Sequence, residues 1–389
     1  MLNTVKFIHN NSLEQLISTY NLIARYSQRY PNLVQLCYHQ LETPKNEITN
    51  ECRGLILDTT DNFKVISYPF HRFSDYNFNP NSGRDEKADK VLDNDTLSFY
   101  EKVDGSLMTL YFYNGEWNVS TKTLPDASGE IYKKETTYRE LFFKIFNDLN
   151  YELPTDTTKC YIFETMYDGQ GITSKNKENI SLLAVRDLIT LKELDVETIG
   201  NELGYSIVES VEKTLDEVVS IVRNIDPIVC EGYVVCSHNL DNNGNYKRFK
   251  IKSPQFERIS ELKINYDNSE ERQVVCDREN FRKIADIIRT NNHSTFLSLE
   301  KYDTVQNLYK KVNSRYKKLL NETQLFVDSI DGLSGKDLGM KLKGCEKYLN
   351  GLAFSISQGK IDKELDGYLE DYFYQMNIRN FEEIMKKLK

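Results

Sequence analysis

The sequence YEKVDGS at residues 100–106 places Lys102 directly before an Asp-Gly pair and a run of strand-forming residues. A lysine amine in its neutral form can attack a phosphorus atom and carry a nucleotide as a phosphoramidate. That form requires a pKa lowered by partial burial or by neighbouring cations. The short pattern Lys-x-Asp-Gly also arises by chance, and an ordinary lysine at a strand edge before a turn satisfies it. The segment therefore marks a candidate nucleophile whose interpretation depends on the rest of the chain.

Two carboxylates follow Lys102, each next to an apolar strand. Glu164 lies in the run IFET at residues 162–165, and Glu231 precedes the run GYVV at residues 232–235. Taken alone, each carboxylate is typical of a solvated strand end. Their order after the lysine favours a shared site, because several short motifs in one order are more specific than any one of them.

A cationic strand comes next. The run KRFKIK at residues 247–252 alternates, so Lys250 and Lys252 share one strand face while Phe249 and Ile251 share the other. Two ammonium groups on one face suit nucleotide phosphates, and they could lower the pKa of a nearby lysine. The predicted catalytic residues are thus Lys102, Glu231, Lys250 and Lys252.

The texture of the chain predicts an α+β domain built on antiparallel sheets. Short runs rich in β-branched and aromatic residues extend from residue 53 to residue 251, separated by turn signals such as YNGE at 113–116. Helical stretches interrupt them around 131–149 and 192–222. Near the N-terminus, apolar residues from Leu13 to Ile23 recur at helical spacing behind a Ser12 cap.

After about residue 258 the sequence no longer shows the short β-branched and aromatic runs that predict strands. Residues 265–271 form a polar loop by composition, and helical spacing dominates beyond it. Helices are predicted at 281–288, 305–319, 335–348, 351–358, 366–375 and 380–388. We therefore expect two domains, an α+β domain at residues 1–258 and an all-helical domain at residues 259–389.

Composition restricts the class of protein without identifying it. The 389 residues carry a formal net charge of −9, which argues against a protein that coats nucleic acid non-specifically. No run of about 18 apolar residues exists, so no membrane span is expected. The seven cysteines are scattered without a metal-binding spacing. These features predict a cytoplasmic protein with reduced thiols.

The order of these motifs resembles that of the covalent nucleotidyltransferase superfamily, and most closely the phage-type RNA ligase 1 family. ECRG at residues 51–54 is similar to the family's arginine motif, and Lys122 stands where the family has a further lysine. ISLLAVR at 180–186 resembles a family strand that ends in arginine, and GLAFSISQG at 351–359 resembles part of its helical C-terminal domain. The resemblance implies an antiparallel-sheet nucleotidyltransferase domain, of the ATP-grasp-like ligase type, followed by an all-helical domain that selects the RNA.

The resemblance also implies a three-step reaction. Lys102 attacks the α-phosphate of ATP and becomes lysyl-AMP, the AMP moves to an RNA 5′-phosphate, and an RNA 3′-hydroxyl then displaces the AMP. Glu231 is expected to hold Mg²⁺ or Mn²⁺ and Glu164 to bind the ribose of ATP, while Glu101 is a candidate for reading adenine. The residues expected to bind the phosphates of ATP or RNA are Arg53, Arg72, Lys122, Lys250 and Lys252.

One segment departs from the family pattern. The family has a lysine followed by two phenylalanines where this chain has YPFHRFSD at residues 68–75. Arg72 keeps the positive charge with a different geometry, because guanidinium and ammonium groups are not interchangeable. Ser74 replaces an aromatic residue and is assigned no role. Arg186 is open between a site residue and a salt-bridge partner.

RNA is the partner that the resemblance implies. The expected substrate is a nicked tRNA anticodon loop, and a separate kinase-phosphatase would prepare its ends. A basic cluster in the predicted helix at 305–319 either contacts RNA phosphates or forms a solvated face. The cluster consists of Lys310, Lys311, Arg315, Lys317 and Lys318.

Three other functions stay open. A DNA ligase or an mRNA-capping guanylyltransferase shares the lysine chemistry, but both normally place an OB-fold barrel where this chain becomes helical. A non-catalytic RNA-binding relic is disfavoured, because the lysine, both carboxylates and the paired lysines are all retained.

Overall fold

The computed structural model describes most of the chain, in two compact units, Met1–Pro254 and Gln255–Lys389. The described residues are 1–39, 42–76, 96–131, 135–167, 173, 178–226, 229–254, 256–257, 264–266, 272–274, 284–285, 288 and 303–388. No helix within these ranges is long and apolar enough to cross a membrane.

The first unit begins with a four-stranded antiparallel sheet, in the order β1-β2-β3-β4. Its strands and the helices among them are α1 (Asn3–Asn10), α2 (Leu13–Tyr20), β1 (Leu22–Tyr26), β2 (Leu33–Tyr38), α3 (Glu47–Glu51), β3 (Arg53–Asp58) and β4 (Lys64–Ser67). Ser12 caps α2 as predicted, since its side chain accepts a hydrogen bond from the Gln15 amide. The helix ends at Tyr20, however, and Ile23 lies in β1.

Two five-stranded sheets complete the first unit, in the orders β11-β10-β9-β7-β8 and β12-β6-β13-β14-β5. The elements are β5 (Ser74–Asp75), β6 (Leu97–Glu101), β7 (Ser106–Tyr113), β8 (Glu116–Thr121), α4 (Tyr138–Asp148), β9 (Lys159–Met166), β10 (Asn179–Asp187), β11 (Glu193–Leu194), α5 (Val196–Leu203), β12 (Ser210–Val211), α6 (Leu215–Asn224), β13 (Gly232–Leu240) and β14 (Tyr246–Lys252). Apart from the parallel pair β5–β14, the named strand pairs are antiparallel. The predicted α+β class is confirmed.

The prediction of a helical stretch at 192–222 is wrong, because the segment does not form a single helix. The segment contains β11, α5, β12 and α6 instead. Gly204 ends α5 in a left-handed conformation with φ of 67°, and Thr214 starts α6 with a capping box. The helix predicted at 131–149 is α4; Thr137 caps it, and residues 132–134 of that range lie outside the described part.

Apolar contacts join helices to sheets and one sheet to another. Helix α4 packs Phe142 and Phe146 onto Phe163 of β9, and α6 packs Val218 onto Phe249 of β14. The first sheet also packs directly on the second, where Ile56, Tyr111 and Ile162 belong to one buried cluster. These contacts hold the ends of β3, β6, β9, β13 and β14 in fixed relation.

The second unit is mainly helical, as predicted, but it also contains two strands. Its named elements are β15 (Ile264–Tyr266), β16 (Arg272–Val274), α7 (Asp303–Ser329), α8 (Gly335–Leu342), α9 (Lys347–Ser357), α10 (Tyr368–Gln375) and α11 (Ile378–Lys387). β15 and β16 are antiparallel partners at the edges of the segment predicted as a loop, so the all-helical expectation is wrong there. Strands of three residues are too short for alternation to be recognised. Of the helix predicted at 281–288, Ile284, Ala285 and Ile288 are helical and buried, while Phe281 lies outside the described residues.

A buried set of charges joins the second and third sheets. Arg186 on β10 is fully buried, with its guanidinium 3.1 Å from the Glu193 carboxylate and 4.1 Å from the Tyr68 ring centre. The other Glu193 oxygen lies 2.7 Å from Arg248 on β14. Arg186 is therefore a structural ion-pair residue, and Arg248 fixes the strand that carries Lys250.

Replacing Arg186 with alanine should destabilise the first unit by roughly 3–5 kcal/mol, because it leaves Glu193 short of a buried partner. Trp117 is the single tryptophan and lies in β8 of this unit, so its fluorescence during urea unfolding reports on the unit selectively. Lys144→Ala is the control, since Lys144 pairs with Asp148 and Glu178 at the surface and should cost less than about 1 kcal/mol. Equal losses in the two variants would contradict a structural role for Arg186.

Candidate active site

Lys102 directly follows β6 and lies next to the start of β13. Its backbone amide donates to the Gly232 carbonyl at 2.8 Å, and its Nζ donates to Oε2 of Glu231 at 2.7 Å. The Glu231 side chain is 5% exposed and that of Lys102 is 24% exposed. The β6–β13 ladder, in which Glu101 faces Tyr233, thus sets the lysine opposite the carboxylate.

The charge environment of Lys102 differs from the prediction. Burial by itself lowers the pKa of the amine, but the carboxylates of Glu231, Glu164 and Asp104 outweigh burial and raise the pKa above its ordinary value. The expected lowering by Lys250 and Lys252 is therefore wrong. The raised pKa and the contact with Glu231 both favour the ammonium form of the amine.

Glu164 approaches the Lys102 turn from the second sheet. Its Oε1 accepts a hydrogen bond from the Gly105 amide at 3.0 Å. A Cβ at residue 105 would lie 2.6 Å from the Thr165 carbonyl oxygen, so glycine permits this close approach. Burial raises the pKa of Glu164 to about 7, partly opposed by Lys102. The carboxyl can therefore donate or accept a hydrogen bond near neutral pH.

The face predicted for β14 is confirmed, since Phe249 and Ile251 are buried while Lys250 and Lys252 reach one carboxylate. The ammonium groups of Lys250 and Lys252 lie 3.2 Å and 3.8 Å from Oδ1 of Asp75. Lys252 also lies 3.9 Å from Oε1 of Glu231. Burial lowers the pKa of Lys250, and so do its cationic neighbours Lys252 and Arg53, against the opposing effect of Asp75.

Arg53 starts β3 next to this cluster. Its guanidinium lies 4.8 Å from the centre of the Phe73 ring, and Lys250 lies 5.7 Å from the same ring. The Nη1 atom of Arg53 is buried and has no hydrogen-bond partner among the described residues. A buried, unsatisfied cationic donor fits an anionic ligand.

Arg72 and Lys122 come together on Tyr38, a residue that sequence reasoning missed. The Arg72 guanidinium lies 4.1 Å and the Lys122 ammonium 4.6 Å from the ring centre. Tyr38 ends β2, whose burial at five of six positions hides the alternation by which a strand is recognised. The eight predicted residues thus form two groups. One group contains Lys102, Glu164, Glu231, Lys250, Lys252 and Arg53, and in the other Arg72 and Lys122 meet on Tyr38, which also interacts with Arg53.

The carboxylates also suit a divalent cation. The described residues contain no group of three or more His, Cys, Asp or Glu side chains that could hold a metal by themselves. Mg²⁺ commonly takes one or two carboxylates and completes its shell with phosphate oxygens and water. Glu231, already in contact with two cationic side chains, offers the hard oxygen donors that such a site requires.

A separate cavity of about 690 Å³ lies elsewhere in the first unit, among residues such as His9, Asp58, Phe63 and Tyr113. None of the eight predicted site residues lines it. The candidate active site is therefore distinct from this cavity and consists of charged side chains at or near the ends of strands.

The titration of Glu164 should appear in the stability of the protein. Its folded pKa of about 7 lies above the ordinary 4.5, so the native state retains a proton that the unfolded chain loses first. Stability should therefore fall as pH rises from about 4.5 to 7, by on the order of 2–3 kcal/mol relative to Glu164→Gln. Urea unfolding followed by Trp117 fluorescence at several pH values measures this difference. Glu202→Gln, at an exposed position, controls for the lost charge, and parallel profiles for wild type and Glu164→Gln would refute the shift.

Comparison of the sequence with known protein families identifies the family of this chain. The model of a family described as RNA ligase, of the phage T4 RNA ligase 1 type, matches residues 51–256, which is more than half of the chain and includes all eight predicted residues. A protein of Autographa californica nuclear polyhedrosis virus, named as a bifunctional polynucleotide kinase/RNA ligase, is 26% identical over 327 residues. That match covers 77% of this chain, and the chain spans 42% of the length of the viral relative.

Solved structures show a partial likeness. An archaeal ATP-dependent RNA ligase has a TM-score of 0.44 and 11% identity, over 84% of this chain and 82% of that one. An RNA ligase mutant from Naegleria gruberi with ATP and Mn has a TM-score of 0.30 and 14% identity, over 44% and 54% of the two chains.

Proposed function

Because the chain belongs to the RNA ligase family of the phage T4 RNA ligase 1 type, we propose that it is an ATP-dependent enzyme joining an RNA 5′-phosphate to an RNA 3′-hydroxyl. The proposed intermediates are lysyl-AMP on Lys102 and a 5′-adenylated RNA. The observation that carries the proposal is the Lys102 amine, which lies 2.7 Å from Glu231 in a cluster that also holds Lys250, Lys252 and Arg53.

In the first step the Nζ of Lys102 forms a bond to the α-phosphorus of ATP while the bond to pyrophosphate breaks. The amine must first lose its extra proton to solvent, and its contact with Glu231 must be exchanged for one with the phosphate. Burial is the largest single influence on the pKa of Lys102 and favours the neutral amine, so weakening the contact with Glu231 would shift the pKa in that direction. Lys250, Lys252 and Arg53 would neutralise phosphate charge, which is the principal requirement of phosphoryl transfer.

Two further phosphoryl transfers follow. An oxygen of the RNA 5′-phosphate attacks the phosphorus of lysyl-AMP, and the P–N bond breaks as Lys102 takes up a proton. The oxygen of an RNA 3′-hydroxyl then bonds to the phosphorus of the RNA 5′-phosphate, its proton passes to solvent, and the bond from that phosphorus to AMP breaks so that AMP leaves. Glu231 is the residue proposed to hold Mg²⁺ or Mn²⁺, which would supply further charge neutralisation when bound. The Glu164 carboxyl, whose pKa is about 7, is proposed to bind the ribose hydroxyls.

The wider assignments are proposals as well. Arg72 and Lys122, held on one tyrosine ring, are proposed to bind outer phosphates of ATP or the RNA phosphate. We propose a cytoplasmic enzyme with an adenylyltransferase domain at 1–258 and an RNA-specificity domain at 259–389. A cleaved tRNA anticodon loop is the proposed substrate. The kinase in the name of the viral relative supports an end-healing partner, and a separate kinase-phosphatase is proposed for that role.

Covalent labelling tests the central proposal. Wild-type protein, first discharged with pyrophosphate, is incubated with α-labelled ATP and Mg²⁺ and separated by denaturing electrophoresis. We expect a labelled 45.5 kDa band that Lys102→Ala abolishes and that labelled GTP does not produce. Without its nucleophile the variant cannot form the P–N bond.

Lys159→Ala is the matched control for Lys102→Ala. The Lys159 side chain is also 24% exposed and also ion-paired, 3.0 Å from Asp156, but it lies at the start of β9 away from the cluster. Its variant should label normally. Labelling by GTP alone would favour a capping enzyme, and a folded but unlabelled wild-type protein would favour an RNA-binding relic.

The basic face of α7 is proposed to bind RNA phosphates. Lys310, Lys311, Lys317 and Lys318 are exposed, while Tyr309, Val312, Tyr316 and Leu319 bury the opposite face. Replacing all four lysines with alanine should weaken RNA binding and reduce the slope of log K against log salt by about 3, since each phosphate contact contributes about 0.7 for single strands. Lysyl-AMP formation should not change.

The control replaces four other exposed lysines of the second unit, Lys336, Lys341, Lys343 and Lys347. Filter binding of labelled RNA over a salt series measures both quadruple variants. If both lose affinity equally, net charge and not the α7 face is responsible.

A further inference from the structure

Asp75, to which the sequence drew no attention, is held at the phosphate site by backbone pairing. It ends β5, which runs parallel to β14 so that Ser74 is level with Phe249 and Asp75 with Lys250. The next amide, that of Tyr76, donates to the Lys250 carbonyl at 2.7 Å. The position of Asp75 beside the lysine strand is thus a property of the sheet.

One oxygen of Asp75 bridges two cations. Oδ1 lies 3.2 Å from the Lys250 ammonium and 3.8 Å from that of Lys252. The Asp75 side chain is 46% exposed, whereas the lysine side chains are 21% and 23% exposed, so the carboxylate is the most accessible of the three groups. Two ammonium groups on one strand face repel each other, and Asp75 offsets one of their two charges.

We propose that Asp75 is a specificity-determining residue that sets how much phosphate charge this site favours; the inference rests on the proposed function. With the Lys102 nitrogen bonded to phosphorus and therefore uncharged, three cations (Arg53, Lys250 and Lys252) and two carboxylates (Glu231 and Asp75) leave one net positive charge, which matches the singly charged phosphate of lysyl-AMP. ATP and pyrophosphate carry several negative charges in the same region and meet repulsion from Asp75. The carboxylate thereby disfavours the return of pyrophosphate after lysyl-AMP has formed.

The reverse of the first step makes this bias measurable. A pyrophosphate oxygen attacks the phosphorus of lysyl-AMP, the P–N bond breaks, ATP leaves and the Lys102 amine takes up a proton. Without the Asp75 charge, pyrophosphate binds better and reversal requires less of it. Because ATP binding meets the same repulsion, the KM for ATP falls as well.

The test compares wild type with Asp75→Asn in two assays with Mg²⁺. One measures the rate of labelling against the concentration of α-labelled ATP, and the other measures release of labelled ATP from adenylated protein against the concentration of pyrophosphate. We expect the KM for ATP and the half-effective pyrophosphate concentration each to fall roughly 3- to 10-fold, with a smaller effect at high salt. Asp75→Glu, which keeps the charge, should resemble wild type.

Asp156→Asn is the matched control. Asp156 is 41% exposed and pairs with Lys159 at 3.0 Å, so it loses a similar ion pair outside the site. Both of its constants should equal those of wild type. A merely structural defect at Asp75 would slow labelling without tightening either ligand.

The possible results distinguish the inference about Asp75 from the proposal that the chain is a ligase. If wild type labels but Asp75→Asn has an unchanged or higher KM for ATP, or unchanged sensitivity to pyrophosphate, the inference about Asp75 is overturned and the ligase proposal stands. A discharged, folded wild type that does not label at all overturns both.

Discussion

The ion pair between Lys102 and Glu231 is the contact on which the charged cluster beside β6, β13 and β14 depends. The Glu231 side chain is only 5% exposed and loses much of its hydration, so its charge is stable only with close geometry and additional partners. Both requirements are met at the start of β13. The Lys102 amide is bonded to the Gly232 carbonyl, and Lys252 approaches the second Glu231 oxygen. Gly232 itself has φ of 145°, and a Cβ there would lie 2.1 Å from the Ile251 carbonyl oxygen, so only glycine lets the strands approach this closely.

Charges of alternating sign extend outward from this pair. Along the third sheet the order is Lys102, Glu231, Lys252, Asp75 and Lys250, with successive separations of 2.7, 3.9, 3.8 and 3.2 Å. Each cation is thereby held in place by a carboxylate. In the proposed reaction, such preorganisation would lower the cost of reorganising charges during phosphoryl transfer. An incoming phosphate would then have to exchange partners with these carboxylates.

Features of the site that neighbouring residues determine can be predicted from the sequence, whereas features that depend on contacts between distant segments cannot. Alternation within KRFKIK placed Lys250 and Lys252 on one face, and the structure confirms this because neighbouring residues on one strand determine it. The resemblance pointed to Arg53, Arg72 and Lys122, but their aromatic partners Tyr38 and Phe73 lie on other strands or segments and have no local signal. Asp75 likewise matters only because a two-residue strand pairs with β14. The pairing of β15 with β16 was missed because three residues cannot show a period.

The sequence motif around Lys102 does not determine whether the pKa of the lysine is raised or lowered. The motif supplies Lys102 and Asp104, whereas the larger carboxylate effects on the pKa come from Glu164 on β9 and from Glu231, which directly precedes β13. Burial lowers the pKa of the amine and the carboxylates raise it, and the carboxylates prevail. In the reaction proposed for this chain, the amine would have to lose its proton before attacking phosphorus, so the contact with Glu231 opposes that step. Burial acts in the other direction because it disfavours the ammonium, so weakening the Glu231 contact would bring the lysine closer to its reactive form.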